Sequence, residues 1–286
     1  MKKWLCSIAG LSLALAGSLA AQAQTPAVPP PNILNIQTDN IKPYEDGPYD
    51  KFASESAALS QQLKDPTHVL GMEALTGPPR AIYLSGHDSF EALQKNEEWL
   101  LGDAATDARL DALDAREGLH VSEVHYTIWH YRPDLSNNVA GADIPHSHYW
   151  EVIIFHMRSG HNEKFEELTK LYRDANLKIG QNTPWATYEG LMGVANAYLV
   201  LVPMTSLKDV DTGLTHAKDF GAALGDEGKA QMNKLSEESV ASVEDNIWMV
   251  IPEWSIVEKS WIEADPQYWA PEPSKSAPVR KAPPAQ

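Results

Sequence analysis

Alternation of apolar and polar residues marks the strands of this chain, and a 3.6-residue apolar period marks its helices. Residues 33–39, ILNIQTD, alternate and predict a short strand. A loop with Pro43 and Gly47-Pro48 separates it from a helix over 49–63, whose apolar positions include Phe52, Leu59 and Leu63. Strands over 69–76 and 81–85 follow, with Thr76-Gly77-Pro78-Pro79 as the turn between them. Helices over 89–101 and 105–117 lead to a fourth strand at 123–132. The order then recurs. A strand at 149–157 precedes an amphipathic helix over 162–179, with Phe165, Leu168, Leu171, Tyr172 and Ala175 in helical register. Strands at 185–190 and 197–202, helices at about 206–223 and 229–243, and a last strand at 246–251 complete the second series.

The recurrence reaches individual residues. Trp129 matches Trp248, Pro133 matches Pro252, and Ser136 matches Ser255, each pair 119 residues apart, with Asp134 opposite Glu253. At an offset of 116, segment 69–76 falls on 185–192, which sets Glu73 against Glu189 and Ala81 against Ala197. Each series reads β-α-β-β-α-β, the ferredoxin-like order, which leaves one sheet face without helices. The expected fold is therefore α+β: two tandem ferredoxin-like halves whose antiparallel sheets pack face to face. The halves span 32–136 and 149–257, joined by a loop at 137–148 and followed by an extension over 258–286.

The order of elements over residues 32–257 resembles the dimeric α/β-barrel superfamily, tandem duplicated within one chain. The layout is most similar to NIPSNAP-type proteins and antibiotic-biosynthesis-type monooxygenases. That resemblance implies a small-molecule cavity between the sheets. It also allows cofactor-free oxygenation of an aromatic substrate, or haem binding as in other barrels of the superfamily. No haem-ligand motif is identifiable, and no cofactor is expected.

The ends of the chain carry other signals. Lys2 and Lys3, an apolar run over 4–17 and Ala21-Gln22-Ala23 form a signal-peptide pattern over 1–23, which predicts cleavage after Ala23 and a periplasmic or secreted protein. The apolar run is too short for a spanning helix. Cys6 lies inside it, so the mature chain would have no cysteine and no disulfide. Residues 24–31, QTPAVPPP, read as a Pro-rich linker, and the Pro/Ala/Lys-rich tail from about 271 reads as disordered. Removal of Lys2 and Lys3 takes the net charge from −16 to about −18. Such a surface repels phosphate backbones and anionic lipid, so neither nucleic acid nor a membrane surface is an expected partner. A small molecule is the expected partner, and the oligomeric state stays open.

Strand alternation nominates the lining of the space between the sheets. Trp129, Tyr131 and His125 share one face of the fourth strand, and Trp248 occupies the matching face of the last one. If Leu34 and Ile36 lie under helices, then Gln37 and Asp39 face inward, as do Glu151 and Phe155 by the repeat offset. Glu73 and Glu189 are placed inward as well, because a carboxylate under a helix layer would be costly. Aromatics with a few convergent polar groups are the usual make-up of a small-molecule site. The same groups could instead satisfy one another in a sealed interior, which would leave a structural or interaction protein. For acid–base chemistry the best pair is His125 with Glu73, since histidine titrates near neutral pH and a carboxylate raises its pKa. His146 and His148 suggest a metal site, but no third ligand stands at a characteristic spacing, so none is assigned.

Overall fold

In a computed structural model of the chain, which describes residues 29–100, 102 and 104–270, the strands close into a single ring. The first series is β1 (Ile33–Ile41), α1 (Asp46–Leu63), β2 (Val69–Ala74), β3 (Arg80–His87), α2 (Phe90–Leu100), α3 (Ala104–His120) and β4 (Val121–Tyr131). The second is β5 (Tyr149–Met157), α4 (Asn162–Lys178), β6 (Ala186–Met192), β7 (Ala197–Met204), α5 (Lys208–Ser239) and β8 (Val240–Val250). Two short helices follow, α6 (Lys259–Ala264) and α7 (Pro266–Trp269). The pattern expected two helices where α5 stands. They are joined at Gly225, whose φ of 66° interrupts the helical backbone. The predicted signal peptide and the tail from 271 lie outside the described residues.

Around the ring the strands run β1-β3-β2-β8-β5-β7-β6-β4, all neighbours antiparallel. Within each series the order is the same: fourth strand, first, third, second. The seams are β2 with β8 and β4 with β6, so each series closes the other and, among the described residues, no strand keeps a free edge.

Side chains are buried on both faces of the sheet, inside the ring and beneath the helices, and this inverts one expectation. Leu34 and Ile36 point into the ring and pack with Met72, Ile82, Trp129, Val152, Leu199 and Trp248. Between helices and sheet lie two further layers. One holds Tyr49, Phe52, Ala81 and Trp254, and the other Phe155, Phe165, Leu168 and Tyr198. Gln37, Asp39, Glu151 and Phe155, expected inward, are therefore on the helix-covered face. Periodicity separates the two faces of a strand, but it does not say which one is the ring interior when both are covered.

The seams explain the recurring Pro-x-x-Ser. After β4 and after β8 the chain makes one 3-10 turn, Pro133–Leu135 and Pro252–Trp254. In the first, Ser136 Oγ donates to the Arg132 carbonyl at 2.8 Å and accepts from the Thr187 N–H at 2.9 Å. In the second, Ser255 Oγ donates to the Ile251 carbonyl at 2.8 Å and accepts from the Gly71 N–H at 3.0 Å. Each hydroxyl thus ties the end of one series to the second strand of the other. The two seams differ where the second strand meets the turn. Gly71 faces Trp254, and a Cβ at Gly71 would lie 2.7 Å from Trp254 Cβ. At the matching place Thr187 faces the smaller Leu135, and its hydroxyl donates to the Leu135 carbonyl at 3.0 Å.

Gly71→Thr should therefore destabilise the protein by about 2–3 kcal/mol through overpacking. The atoms met are the Cβ, carbonyl carbon and carbonyl oxygen of residue 254, which leucine also has, so the same change in a Trp254→Leu background should cost as much to within about 0.5 kcal/mol, which a double-mutant cycle in urea measures. A cost at least about 1 kcal/mol lower in that background would show that the indole, and not the backbone of the turn, requires the glycine.

Candidate ligand cavity

The ring interior is filled at its centre and open at one end. Trp129 and Trp248 are 2% and 3% exposed and pack among aliphatic side chains. Burial of an indole on this scale contributes about 4–6 kcal/mol from area alone, so these residues are core. The open end is where β1, β2, β5 and β6 begin and β3, β4, β7 and β8 finish. There a cavity of about 160 Å³ is walled by Leu34, Leu70, Leu84, Trp150, Ala186, Tyr188 and Leu201 from the strands. Val139, Ala142, Ile144, Pro184 and Trp185 close it from the loops, Trp261 from α6, and Pro29, Pro30 and Pro31 from the N-terminal side. No charged side chain is among these walls.

The loops and flanking segments that complete the cavity are held in place. Pro31 sits on Gly86, where any Cβ would come 2.6 Å from Pro31 Cγ, and the Tyr131 N–H donates to the Asn32 carbonyl at 2.9 Å. Trp150 Nε1 donates to the Ser147 carbonyl at 3.1 Å, and Trp185 Nε1 to the Leu135 carbonyl at 2.9 Å. Helices α6 and α7 are latched to the rim. Trp269 Nε1 donates to the Pro145 carbonyl at 2.8 Å, and the Tyr268 hydroxyl to the Val250 carbonyl at 2.5 Å. His148 stacks on Tyr268 with ring centroids 3.6 Å apart, and its Nε2 lies 2.8 Å from Asp265 Oδ2. His148 is thus committed to Asp265, and His146 to Asp143 with Nδ1 2.8 Å from Oδ1. Among the described residues no three metal-ligating side chains converge. Among the described residues no histidine lines the cavity, so the residues present do not fit a haem held by an axial histidine.

The polar residues nominated from sequence do not assemble around this cavity. His125 shares the inward-facing register of Trp129 but sits at the other end of the ring, four residues away or about 13 Å along the strand. Its side chain is 59% exposed, with Nε2 3.3 Å from Glu123 Oε2. Glu73 alternates with the inward Met72 and Ala74, so it is on the opposite strand face. Glu189 is outside the ring too, paired to Arg132 at 2.7 Å, with Glu166 and Asp134 on the same guanidinium at 2.8 and 2.9 Å. Tyr131 packs at the core edge, its ring 5.4 Å from that of Tyr188.

Asp39 and Glu151 are the carboxyls that the cost argument would have kept from beneath helices. Each has partners there. Asp39, wholly buried, accepts from the Tyr49 hydroxyl at 2.5 Å and from Gln37 Nε2 at 2.9 Å, and Gln37 also donates to Glu117. Burial raises the Asp39 pKa, against the lowering effect of its hydrogen bonds. Glu151 lies beside Asp245; burial, and then the Asp245 charge, push it up to about 7. A shared proton lets two carboxyls lie together in a covered layer.

Sequence reasoning missed Trp150, Trp185, Tyr188 and Trp261. A signal existed for three of them. Trp150, Trp185 and Tyr188 lie near the starts of β5 and β6, at the end of the ring where β1 begins and β8 finishes. Trp261 lies in an extension for which no helix was expected.

No protein-family model matches the chain, and no curated protein matches it. Solved structures with a similar course of the chain include a "putative monooxygenase" from Fusobacterium nucleatum, 11% identical, covering 76% of this chain and 91% of that one, TM-score 0.49. An anthrone oxidase-like protein is 11% identical over 77% of this chain and 91% of its own, TM-score 0.48. A chlorite dismutase variant from Candidatus Nitrospira defluvii is 10% identical over 79% of this chain and 94% of its own, TM-score 0.46.

The Glu151 pair makes stability depend on pH. Below about pH 4.5 the carboxyl is protonated in both folded and unfolded chains. Between about 4.5 and about 7 only the folded state holds the proton, so stability falls as pH rises through that window and levels off above it. The loss should approach roughly 3 kcal/mol. Glu151→Gln should flatten this part of the profile relative to the parent protein, as read from urea midpoints at pH 5 and pH 8. An unchanged slope would remove Glu151 as its source.

Proposed function

We propose that the protein is an exported binder of small, apolar, partly aromatic molecules, which it holds in the cavity at the mouth of its ring. The protein is read as two ferredoxin-like halves in tandem, of the dimeric α/β-barrel type. The observation that carries the binding proposal is the cavity itself, about 160 Å³ walled by three tryptophans, a tyrosine and aliphatic side chains, with no charge. A void of roughly 150 Å³ lined only by apolar groups stays dry and takes up benzene. Polar solutes would forfeit their hydration on entry with nothing charged to replace it. Cofactor-free oxygenation, the activity the resemblance allows, would need a proton-transfer group beside the bound molecule. His125 and Glu123 are at the far end of the ring, and the walls offer only the Tyr188 phenol, whose pKa burial holds well above its ordinary range. Binding without turnover is therefore the preferred reading.

Toluene should bind with a sub-millimolar Kd, measured by ligand-observed NMR. Ala142→Trp, which fills the cavity from the connecting loop, should weaken binding tenfold or more without loss of folding. Absence of toluene binding, or an Ala142→Trp variant that binds as the parent does, would refute this site. The export reading predicts that protein secreted from its host begins at Gln24, which N-terminal sequencing tests; a start at Met1 would refute cleavage.

A further inference from the structure

The segments that close the mouth of the cavity are not held alike. The loop at 137–148 is tied by two backbone bonds between Asn137 and Trp185, each 3.0 Å, and by Asn137 Nδ2 donating to the Thr183 carbonyl at 2.8 Å. Helices α6 and α7 are tied through the Trp269 indole and the Tyr268 hydroxyl. Residues 29–31 are prolines, which have no N–H to donate, and among the described residues nothing donates to their carbonyls. The first hydrogen bonds of this segment come at Asn32, whose carbonyl accepts from the Tyr131 N–H at 2.9 Å and whose Nδ2 donates to the Asp88 carbonyl at 3.1 Å. All three prolines line the cavity, yet Pro29 is exposed and Pro30 and Pro31 are half-buried, so the segment lies between the cavity and solvent. Its seat is Gly86. The three atoms that a Cβ at Gly86 would meet first all belong to the Pro31 ring, at 2.6, 2.8 and 3.7 Å.

We propose that residues 29–31 form a strap that gates the cavity, lifting about Asn32 to admit a ligand and seating on Gly86 to retain it. The proposal rests on the binding reading above and adds the route of entry and the control of exchange. Successive prolines hold a stiff, extended backbone, so the strap moves as one piece. Lifting it breaks no hydrogen bond among the described residues and separates only apolar contacts. The other routes disturb more. Moving the connecting loop would break the Asn137–Trp185 pair beside the β4–β6 seam, and moving α7 would leave the buried Trp269 N–H without its acceptor. Gly86 serves the strap, since a side chain there would occupy the place of the Pro31 ring. Ligand exchange is then set by opening of the strap rather than by diffusion to the mouth, as with other segments that close over a site.

The test follows toluene through the indole N–H resonances of ¹⁵N-labelled protein, whose line shapes during a titration give association and dissociation rates. The parent is the chain from Gln24 to Gln286. A chain that begins at Asn32 should take up and release toluene at least about tenfold faster, with a Kd within about fivefold of the parent's. Gly86→Ala keeps the strap but unseats Pro31, so it should raise both rates as well. Neither change reaches a seam, and the dispersion of the indole signals reports folding. A strap that were only a wall would change the release rate and leave association as it is. An association rate within about twofold of the parent's in either variant would therefore overturn the gate while the cavity reading stands. Failure of toluene to bind the parent chain would overturn both.

Discussion

The ring depends on two hydroxyl clasps. A four-stranded sheet with helices on one face has two edges and one bare apolar face, and closing it against a second sheet covers the face but still requires two seams. At each seam the strand-to-strand pairing is short: β2 meets β8 over only three residue pairs. Ser136 and Ser255 extend both seams past the strand ends, each satisfying a backbone N–H of the opposite series and a carbonyl of its own. Flanking backbone pairs do the same work, Asn137 with Trp185 on one side and Val69 with Ile256 on the other. The 3-10 turn before each serine is what aims it, and a proline at the first position of that turn costs no hydrogen bond.

The clasps also show what could be read from the chain and what could not. Pro133, Ser136, Pro252 and Ser255 stood out because a sharp turn needs particular residues, and the equal spacing of the two copies showed that the turns are equivalent. That Trp129 and Trp248 both face inward followed from the same repeat; that they fill the core, where they were nominated as lining a cavity, did not. The facing of Asp39 and Glu151 was not legible. Alternation is a relative signal, and its sign was taken from the expense of burying a carboxylate beneath helices. That expense is removed by partners distant in sequence, such as Tyr49 for Asp39 and Asp245 for Glu151, which no local pattern displays. Trp261 was hidden for another reason: α6 and α7 are short, and their order comes from latching onto Pro145, Val250 and His148 rather than from helical periodicity.

The repeat is broken where the cavity lies. The first series supplies aliphatic wall, Leu34, Leu70 and Leu84. At positions matching Leu34 and Met72 the second series has Trp150 and Tyr188, both inward. Equivalent backbone positions thus carry unlike side chains across one opening. Ala186, in place of Leu70, withdraws volume beside them. Elsewhere the exchanges leave no space, as where Gly71 meets Trp254. At the mouth they leave space.

That contrast bears on where such a ring can hold a ligand at all. Eight strands enclose an interior just wide enough for side chains to fill. Here Trp129, Trp248 and their aliphatic neighbours occupy it, so enlarging the centre would remove core. At the mouth the wall continues past the strands into segments that carry no part of the ring: the prolines at 29–31, the loop at 137–148 and α6. Those segments can set the size and polarity of a cavity without weakening either seam. Space for a ligand there is compatible with a rigid, fully paired barrel, and its walls include residues such as Trp261 that lie outside the repeat.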